Sequence, residues 1–392
     1  MKGKKRLLLI FSGIGMFVFL FSQCMEKPKE KVAATELSIA GAETCKQCHQ
    51  KAYSDYLKDP HTHTSWPVTT DEVVKGGGGP KSAGFSFDEH LKIVIEKRKD
   101  GMYQVPYYDG EEGPARRFDI AIGSGKHAHT YGFWREDRLN QLQLTYFRSI
   151  NEWTNSPGYP NRMFLQAIGK RCLECHTSYA KATNVQTGSL SIENSFDRKS
   201  IIYGIDCERC HGPAGKHVEF HINNPDDKSP KYVKLYKDLT RKQKIDACAV
   251  CHSGNDVESL KSSFAFKPGD DIAEYYHYNP GSFASAEPDV HGNQIGMLQG
   301  SQCFIKSNDM TCGSCHNAHK AEDNNLIAYS KKCISCHPTA KHSKKTLGNA
   351  MVNTNCINCH MPLKASKVIT FQQAGHEGKS AYQLHTHRIA VY

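Results

Sequence analysis

The sequence has few apolar residues for its length. Only 39% of the 392 residues are hydrophobic, which is less than globular chains usually contain. A chain of this size ordinarily buries a large apolar core. We therefore expect something other than side chains to fill part of its interior.

A clustered basic face is also missing. The formal net charge is +10, but no long basic run occurs after the first few residues, and the remaining charge is spread along the chain. A nucleic-acid interface needs its basic residues on one face. This charge distribution therefore excludes nucleic acid as an expected partner.

No apolar run reaches the roughly 20 residues of a comfortable membrane span. The longest, at 7–21, follows a basic start, which is the secretory pattern. We interpret residues 1–24 as a signal segment. Cys24 follows it as in bacterial lipoproteins, although Gln23 departs from the usual small residue. A lipidated Cys24, an uncleaved anchor helix and ordinary cleavage are the alternatives, and the polar stretch 25–40 is predicted to be a tether.

Cysteine is nearly absent outside one pattern. Of 16 cysteines, 14 fall into seven copies of Cys-x-x-Cys-His, and only Cys24 and Cys303 lie elsewhere. The cysteines of the seven motifs, numbered 1 to 7 in chain order, are Cys45 and Cys48, Cys172 and Cys175, Cys207 and Cys210, Cys248 and Cys251, Cys312 and Cys315, Cys333 and Cys336, and Cys356 and Cys359. The histidines that close them are His49, His176, His211, His252, His316, His337 and His360.

The spacing of this motif matches covalent attachment of haem. Two cysteines three residues apart lie about one helical turn from each other, so each thiol can add to one haem vinyl group. The adjacent histidine then donates a nitrogen to the iron. A single copy could be half of a zinc site or a redox dithiol. Seven copies predict seven c-type haems. They also fit export, because in an oxidising compartment so many thiols would scramble into disulfides unless each were attached to haem.

The motifs are unevenly spaced, and the gap between motifs 1 and 2 has its own character. It contains alternating apolar segments around Asp100 and Gly101, a strong hairpin signal. Further strands are predicted at 117–122 and 139–147. We therefore expect a mainly α and irregular multihaem cytochrome c fold over 41–392, with a small β-rich insert at about 85–150.

Several segments together resemble the multihaem cytochrome c-554 family. The resemblance covers about 41–390 and is carried by 41–49 with Tyr53, Tyr56 and 59–61, by 122–127 with Tyr146, Trp153 and 156–159, by 207–213 with His217, and by 301–303 leading to 310–319. It implies electron transfer, although some relatives are reductases or hydroxylamine-oxidising enzymes. The type member of the family binds four haems, so its physiology does not transfer to a chain with seven motifs.

Fourteen histidines lie outside the motifs, enough to give each iron a second axial ligand. Three of them, His319, His217 and His342, lie three to six residues after a motif histidine. Because such a residue cannot reach the far face of the same haem, distal ligands are expected to cross between haems. The predicted distal ligands are His61, His127, His217, His291, His319, His342 and His387; the family pattern places ligands at His127 and His319.

The other histidines divide into alternative distal ligands, surface residues and undecided cases. His63 is the alternative to His61 as a distal ligand, and His385 is the alternative to His387. Surface positions are predicted for His90, His221 and His376, while His129 and His277 remain open. Cys303 is interpreted as a buried small apolar residue, with ligation or an intermolecular disulfide as alternatives.

The predicted function is electron transfer by an exported, membrane-anchored protein of the periplasm or cell surface. It would carry electrons between a membrane-side donor and another redox protein, and would be a carrier rather than an enzyme. One alternative is reduction of a small nitrogen or sulfur compound at an open-coordinate haem, with Tyr107, Tyr108, Arg116 and Arg117 as proton donors. A structural haem-conduit subunit is the second alternative.

Overall fold

The structure is a computed structural model, and it describes most of the chain after the predicted tether. The described residues are 38–69, 73–74, 81–157, 165–254, 257–278, 293–321, 325–338, 342, 354–373 and 378–392. The signal segment, Cys24 and nearly all of the predicted tether lie outside them. Over these ranges, no helix combines the length and apolar character needed to cross a membrane.

The helices are short. They are α1 (Ala42–Cys45), α2 (Gln50–Tyr56), α3 (Lys170–His176), α4 (Cys207–His211), α5 (Gly215–Asn223), α6 (Arg241–His252), α7 (Gln294–Gln299), α8 (Gln302–Lys306), α9 (Leu326–Cys336) and α10 (Cys356–His360). Single 3-10 turns lie at Pro60–His63, Tyr236–Asp238, Ser263–Ala265, Ile272–Glu274 and Cys312–Ser314. Most of the motifs therefore sit on, or at the end of, a brief helix, as covalent haem attachment requires.

Strands are as prominent as helices, so the expectation of a mainly α and irregular chain is not confirmed. They are β1 (Ser65–Pro67), β2 (Gly84–Ser86), β3 (Leu91–Arg98), β4 (Gly101–Tyr108), β5 (Glu111–Glu112), β6 (Arg116–Arg117), β7 (Ile120–Ile122), β8 (Ala128–Arg135), β9 (Arg138–Gln141), β10 (Leu144–Phe147), β11 (Glu152–Asn155), β12 (Thr177–Gln186), β13 (Ile192–Tyr203), β14 (Val257–Ser259), β15 (Tyr276–Tyr278), β16 (Leu363–Phe371) and β17 (Ser380–His385). Three β-hairpins that the sequence analysis missed, β12–β13, β14–β15 and β16–β17, account for much of the difference.

The stretch between motifs 1 and 2 folds into two antiparallel sheets. One has the order β1-β7-β8-β10-β11 with β9 paired to β8, and the other has the order β2-β3-β4-β5 with β6 paired to β4. Apolar side chains from both sheets form one buried cluster that includes Phe85, Ile93, Tyr131 and Trp153. This part of the chain therefore has an ordinary side-chain core, because period-two strands put their apolar residues on one face.

The predicted hairpin is confirmed, with its turn one residue earlier than expected. Strands β3 and β4 pair from Leu91 with Tyr108 to Arg98 with Gly101. The turn residues are thus Lys99 and Asp100, and Gly101 opens the return strand at a φ of 145°. Glycine tolerates that backbone conformation because it has no Cβ.

Three further apolar clusters connect the haem-binding motifs to this framework. Leu173 on α3 packs with Ile120 and Leu139 from the first sheet. Ile245 and Ala249 on α6 pack with residues that include Ile295 of α7 and Phe304 of α8. Phe371 and Tyr382, from the C-terminal hairpin, pack on Phe147 of β10.

Candidate haem-binding site

Each motif is wound into about one helical turn, which gathers its three functional side chains. Where the motif lies outside regular α-helix, the turn is closed by a bond from the histidine N–H to the first cysteine carbonyl. These bonds are 2.8 Å for His49 and 2.9 Å for both His316 and His337. Residues three and four apart on a helical turn point the same way. Both thiols and the imidazole of a motif therefore face a common side.

Five motif histidines face a second histidine from elsewhere in the described part of the chain. The ring-centre distances are 6.4 Å for His49 and His217, 6.1 Å for His252 and His61, 5.8 Å for His211 and His319, 6.2 Å for His316 and His387, and 6.3 Å for His360 and His342. The planes are nearly parallel in the His211 pair, at 10°, and nearly perpendicular in the His252 pair, at 84°.

These distances fit two axial ligands on one iron. A metal–imidazole bond is about 2 Å long, so two imidazoles on opposite sides of one metal have ring centres about 6 Å apart. The two Nε2 atoms of His211 and His319 also point at each other, 3.5 Å apart. The donor sets thus fit haem iron with two histidine ligands.

Hydrogen bonds to the other ring nitrogen orient several of these imidazoles. Nδ1 of His217 lies 2.8 Å from the Lys231 carbonyl, and Nδ1 of His360 lies 2.8 Å from the Ala390 carbonyl. Nδ1 of His61 lies 2.7 Å from Oδ1 of Asp59. A proton held on Nδ1 leaves Nε2 as the metal-binding nitrogen.

Burial favours the uncharged, metal-binding form of one distal candidate. Burial, together with the nearby His316 and His252, lowers the pKa of His387 to about 4. An imidazole must be neutral to coordinate iron. His387 therefore has its ligand form available at neutral pH.

Three of the facing histidines follow one motif and face the histidine of another. His217, after motif 3, faces His49 of motif 1; His319, after motif 5, faces His211 of motif 3; and His342, after motif 6, faces His360 of motif 7. Each of these pairs therefore connects two different motifs, and the His49–His217 and His211–His319 pairs connect segments more than 100 residues apart in the chain.

The remaining histidine predictions have mixed outcomes. His127 contacts the hydroxyl of Tyr382, on the C-terminal hairpin, through its Nδ1, and its assignment as a ligand stays a prediction. His291 and His376 lie outside the described residues. His63 is half-buried, with Nε2 3.2 Å from the Leu57 carbonyl.

His385 was the alternative to His387 as a distal ligand, and His129 was left open. Nδ1 of His385 lies 2.6 Å from the Met361 carbonyl, the same kind of bond that orients His217. His129 is fully buried, with its ring centre 4.9 Å from that of Trp66. Burial inside a sheet cannot be recognised from a lone histidine in a strand pattern.

His90 and His221, which were predicted to be surface residues, and His277, which was left open, are at least partly exposed. The His90 side chain is 67% exposed and pairs with Asp109 at 2.6 Å. The His277 side chain is 63% exposed and lies near Glu258. His221 is half-buried, and its ring centre lies 4.5 Å from that of His217.

Sulfur atoms of neighbouring motifs also meet. In the haem-bound protein these thiols would be thioethers, so their contacts mark which motifs adjoin. Cys45 of motif 1 hydrogen-bonds with Cys207 of motif 3. Three further pairs of cysteines from different motifs hydrogen-bond with each other: Cys175 with Cys251, Cys248 with Cys312, and Cys333 with Cys356.

Motif 4 contacts two other motifs and interacts electrostatically with a third. Cys251 hydrogen-bonds with Cys175 of motif 2, Cys248 hydrogen-bonds with Cys312 of motif 5, and Cys251 interacts electrostatically with Cys210 of motif 3. Cys315 of motif 5 lies near Cys336 of motif 6. The spatial order of the motifs thus differs from their order in the sequence.

Cys303, which belongs to no motif, and the suggested proton donors Tyr107 and Arg117 lie outside the motif helices. Cys303 is half-buried on α8, where burial raises the pKa of its thiol. Tyr107 donates a hydrogen bond to Glu96 at 2.7 Å, and Arg117 pairs with Asp119 at 2.6 Å. The Tyr107–Glu96 contact joins the neighbouring strands β4 and β3, and the Arg117–Asp119 contact lies at the end of β6.

The class of protein that these motifs and ring pairs define is the multihaem c-type cytochromes, and the chain resembles the cytochrome c-554 family. The family model described as cytochrome c554 and c-prime matches residues 126–212, which contain His127 and motifs 2 and 3. The resemblance predicted from the sequence is therefore confirmed.

A curated relative and a solved structure extend the likeness. The chain is 28% identical over 205 residues to multiheme cytochrome MtrA of Shewanella baltica (strain OS185), a match covering 50% of this chain and 54% of the relative. The chain thus spans about half the length of that relative. The crystal structure of outer cell wall cytochrome OcwA matches with a TM-score of 0.53 and 15% identity, over 85% of this chain and 79% of that one, which shows a shared fold.

Proposed function

We propose that the chain is an exported heptahaem cytochrome that transfers electrons between a membrane-side donor and another redox protein. The observation that carries this proposal is the set of five facing histidine pairs. When bound, haem iron supplies reversible one-electron chemistry. Histidines on both faces of an iron leave no position for a substrate, which suits a carrier rather than an enzyme.

The proposed count of seven haems rests on the seven complete motifs. Each has two cysteines and a histidine gathered on about one helical turn. The five ring pairs support a histidine on each side of the iron for motifs 1, 3, 4, 5 and 7. For motifs 2 and 6 the proximal ligands are His176 and His337, and the predicted distal ligands His127 and His291 are the available donors from the sequence analysis.

Contacts between motifs support transfer along the whole chain. Sulfur contacts connect motif 1 to motif 3, motif 4 to motifs 2 and 5, and motif 6 to motif 7. Electrostatic interactions between thiols relate motif 3 to motif 4 and motif 5 to motif 6. Neighbouring haems attached at these sulfurs would therefore lie close together. An array of this kind gives electrons a continuous route between two partners at its ends.

The proposed location is the periplasm or cell surface, with the membrane reached through a lipid on Cys24 or through an N-terminal anchor. The signal pattern of 1–24 supports this. The similar protein OcwA is described as an outer cell wall cytochrome. The donor and acceptor proteins would dock on the domain at 41–392, which includes the β insert at about 85–150.

The test combines intact mass with ligand binding to the reduced protein. The mass should exceed that of the polypeptide by seven haems, and electron paramagnetic resonance should show at least five low-spin irons. Carbon monoxide should bind fewer than two haem equivalents. A mass increase of five haems or fewer would contradict the count, and three or more high-spin irons would contradict the carrier assignment.

A further inference from the structure

Asp59 is a buried carboxylate that holds a predicted distal ligand. It is 3% exposed and precedes the 3-10 turn Pro60–His63. Its Oδ1 accepts the backbone N–H of His61 at 2.8 Å and the ring Nδ1–H of the same residue at 2.7 Å. One short side chain thus fixes both the backbone and the ring of His61.

The other side of the His61 ring faces motif 4. Its centre lies 6.1 Å from that of His252, and the two planes are nearly perpendicular. His252 ends α6, whose first turn is closed by a capping box between Thr240 and Gln243. The His61 ring is therefore held by Asp59 on one side and faces His252 on the other.

The partner of His61 differs in charge from those of the other oriented histidines. Nδ1 of His217 and of His360 meet neutral backbone carbonyls, whereas Nδ1 of His61 meets a carboxylate. A carboxylate draws the Nδ1 proton more strongly than a carbonyl does, and this makes Nε2 a stronger electron donor. Burial strengthens the effect because the local dielectric constant is low.

We propose that Asp59 is a positioning residue that lowers the reduction potential of the haem held by His252 and His61. The proposal rests on the proposed electron-transfer function. A stronger donor and a nearby negative charge both stabilise ferric iron over ferrous iron, so both act in the same direction. Because motif 4 has sulfur contacts with motifs 2 and 5 and interacts electrostatically with motif 3, Asp59 would set the potential at the junction of these motifs.

The experiment is a redox titration followed by optical and spin-resonance spectra on the full haem-loaded protein. Asp59→Asn is nearly isosteric and removes the charge. Asp59→Ser also removes it and keeps an oxygen that can accept the backbone N–H of His61. Each variant should raise one haem potential, with a change of roughly tenfold in the reduction equilibrium, or about 59 mV for one electron.

Two controls separate tuning from general damage. Asp109→Asn removes a carboxylate that bonds Nδ1 of the exposed His90 at 2.6 Å, and it should leave all potentials unchanged. His61→Ala should convert one haem to high spin. In that background Asp59→Asn should lose most of its effect, because the two residues act as one unit.

The outcomes distinguish this proposal from the proposed function. If Asp59→Asn and Asp59→Ser keep all haems low-spin and leave every potential unchanged, the role of Asp59 is refuted and the carrier function stands. A fall in potential would also refute it. If His61→Ala leaves the spectrum of the protein unchanged, the assignment of His61 as a ligand fails, and the role of Asp59 fails with it.

Discussion

Replacing His319 by alanine isolates one axial ligand with little effect on the fold. His319 is exposed, and its ring faces that of His211 at 5.8 Å with an angle of 10° between planes. Truncation of an exposed side chain usually changes the free energy of unfolding by less than about 0.5 kcal/mol. The variant should therefore fold and bind the full complement of haems.

The expected magnitude is one haem in seven. Because His211 and His319 would bind the same iron, His319→Ala leaves that iron with one histidine ligand. Spin resonance should show one new high-spin iron, and the reduced protein should bind one further equivalent of carbon monoxide. Added imidazole should restore the low-spin spectrum, since the position of His319 is open to solvent.

His90→Ala is the matched control. His90 is also exposed, but its ring pairs with Asp109 rather than with a motif histidine, so its loss should leave the spectrum unchanged. If His319→Ala likewise produces no high-spin iron and no extra carbon monoxide binding, then ring pairing in the structure does not report axial ligation. The assignments of all five pairs would then fall together.

Two further predictions concern the anchor and the β-sheets. Cys24→Ala should move the protein from the membrane to the soluble fraction, measured by fractionation of cells; retention in the membrane would indicate an uncleaved anchor helix instead. Ile93→Ala should lower the stability of the native protein by about 2–5 kcal/mol, because Ile93 is 1% exposed in the cluster between the two sheets. Chemical denaturation should show the lower midpoint while the haem spectrum of the folded protein stays the same, and an unchanged midpoint would mean that this cluster is not a core.

The sequence determined the chemistry of the site, because attachment of haem c depends on residues adjacent in the chain. The two thiols and the histidine of each motif lie within five residues, so the local helical turn is enough to bring them together. The hairpin β3–β4 is equally local, and both its strands and its turn follow from alternation and from glycine near the turn. Spacing alone also predicted that a histidine three to six residues after a motif histidine does not bind the other face of the same haem.

Tertiary structure decided which motifs adjoin and which histidines meet. His61 and His252 are separated by nearly half the chain, and no local pattern indicates that they face each other. The strands of β12–β13 and β16–β17 were missed because their polar sequences lack clear alternation, and pairing of the two strands stabilises each of them. The proposed role of Asp59 had one weak local indication, an aspartate two residues before a histidine at the start of a turn. The sequence could not show that Asp59 is buried or that α6 lies beside His61, because both depend on how the chain packs.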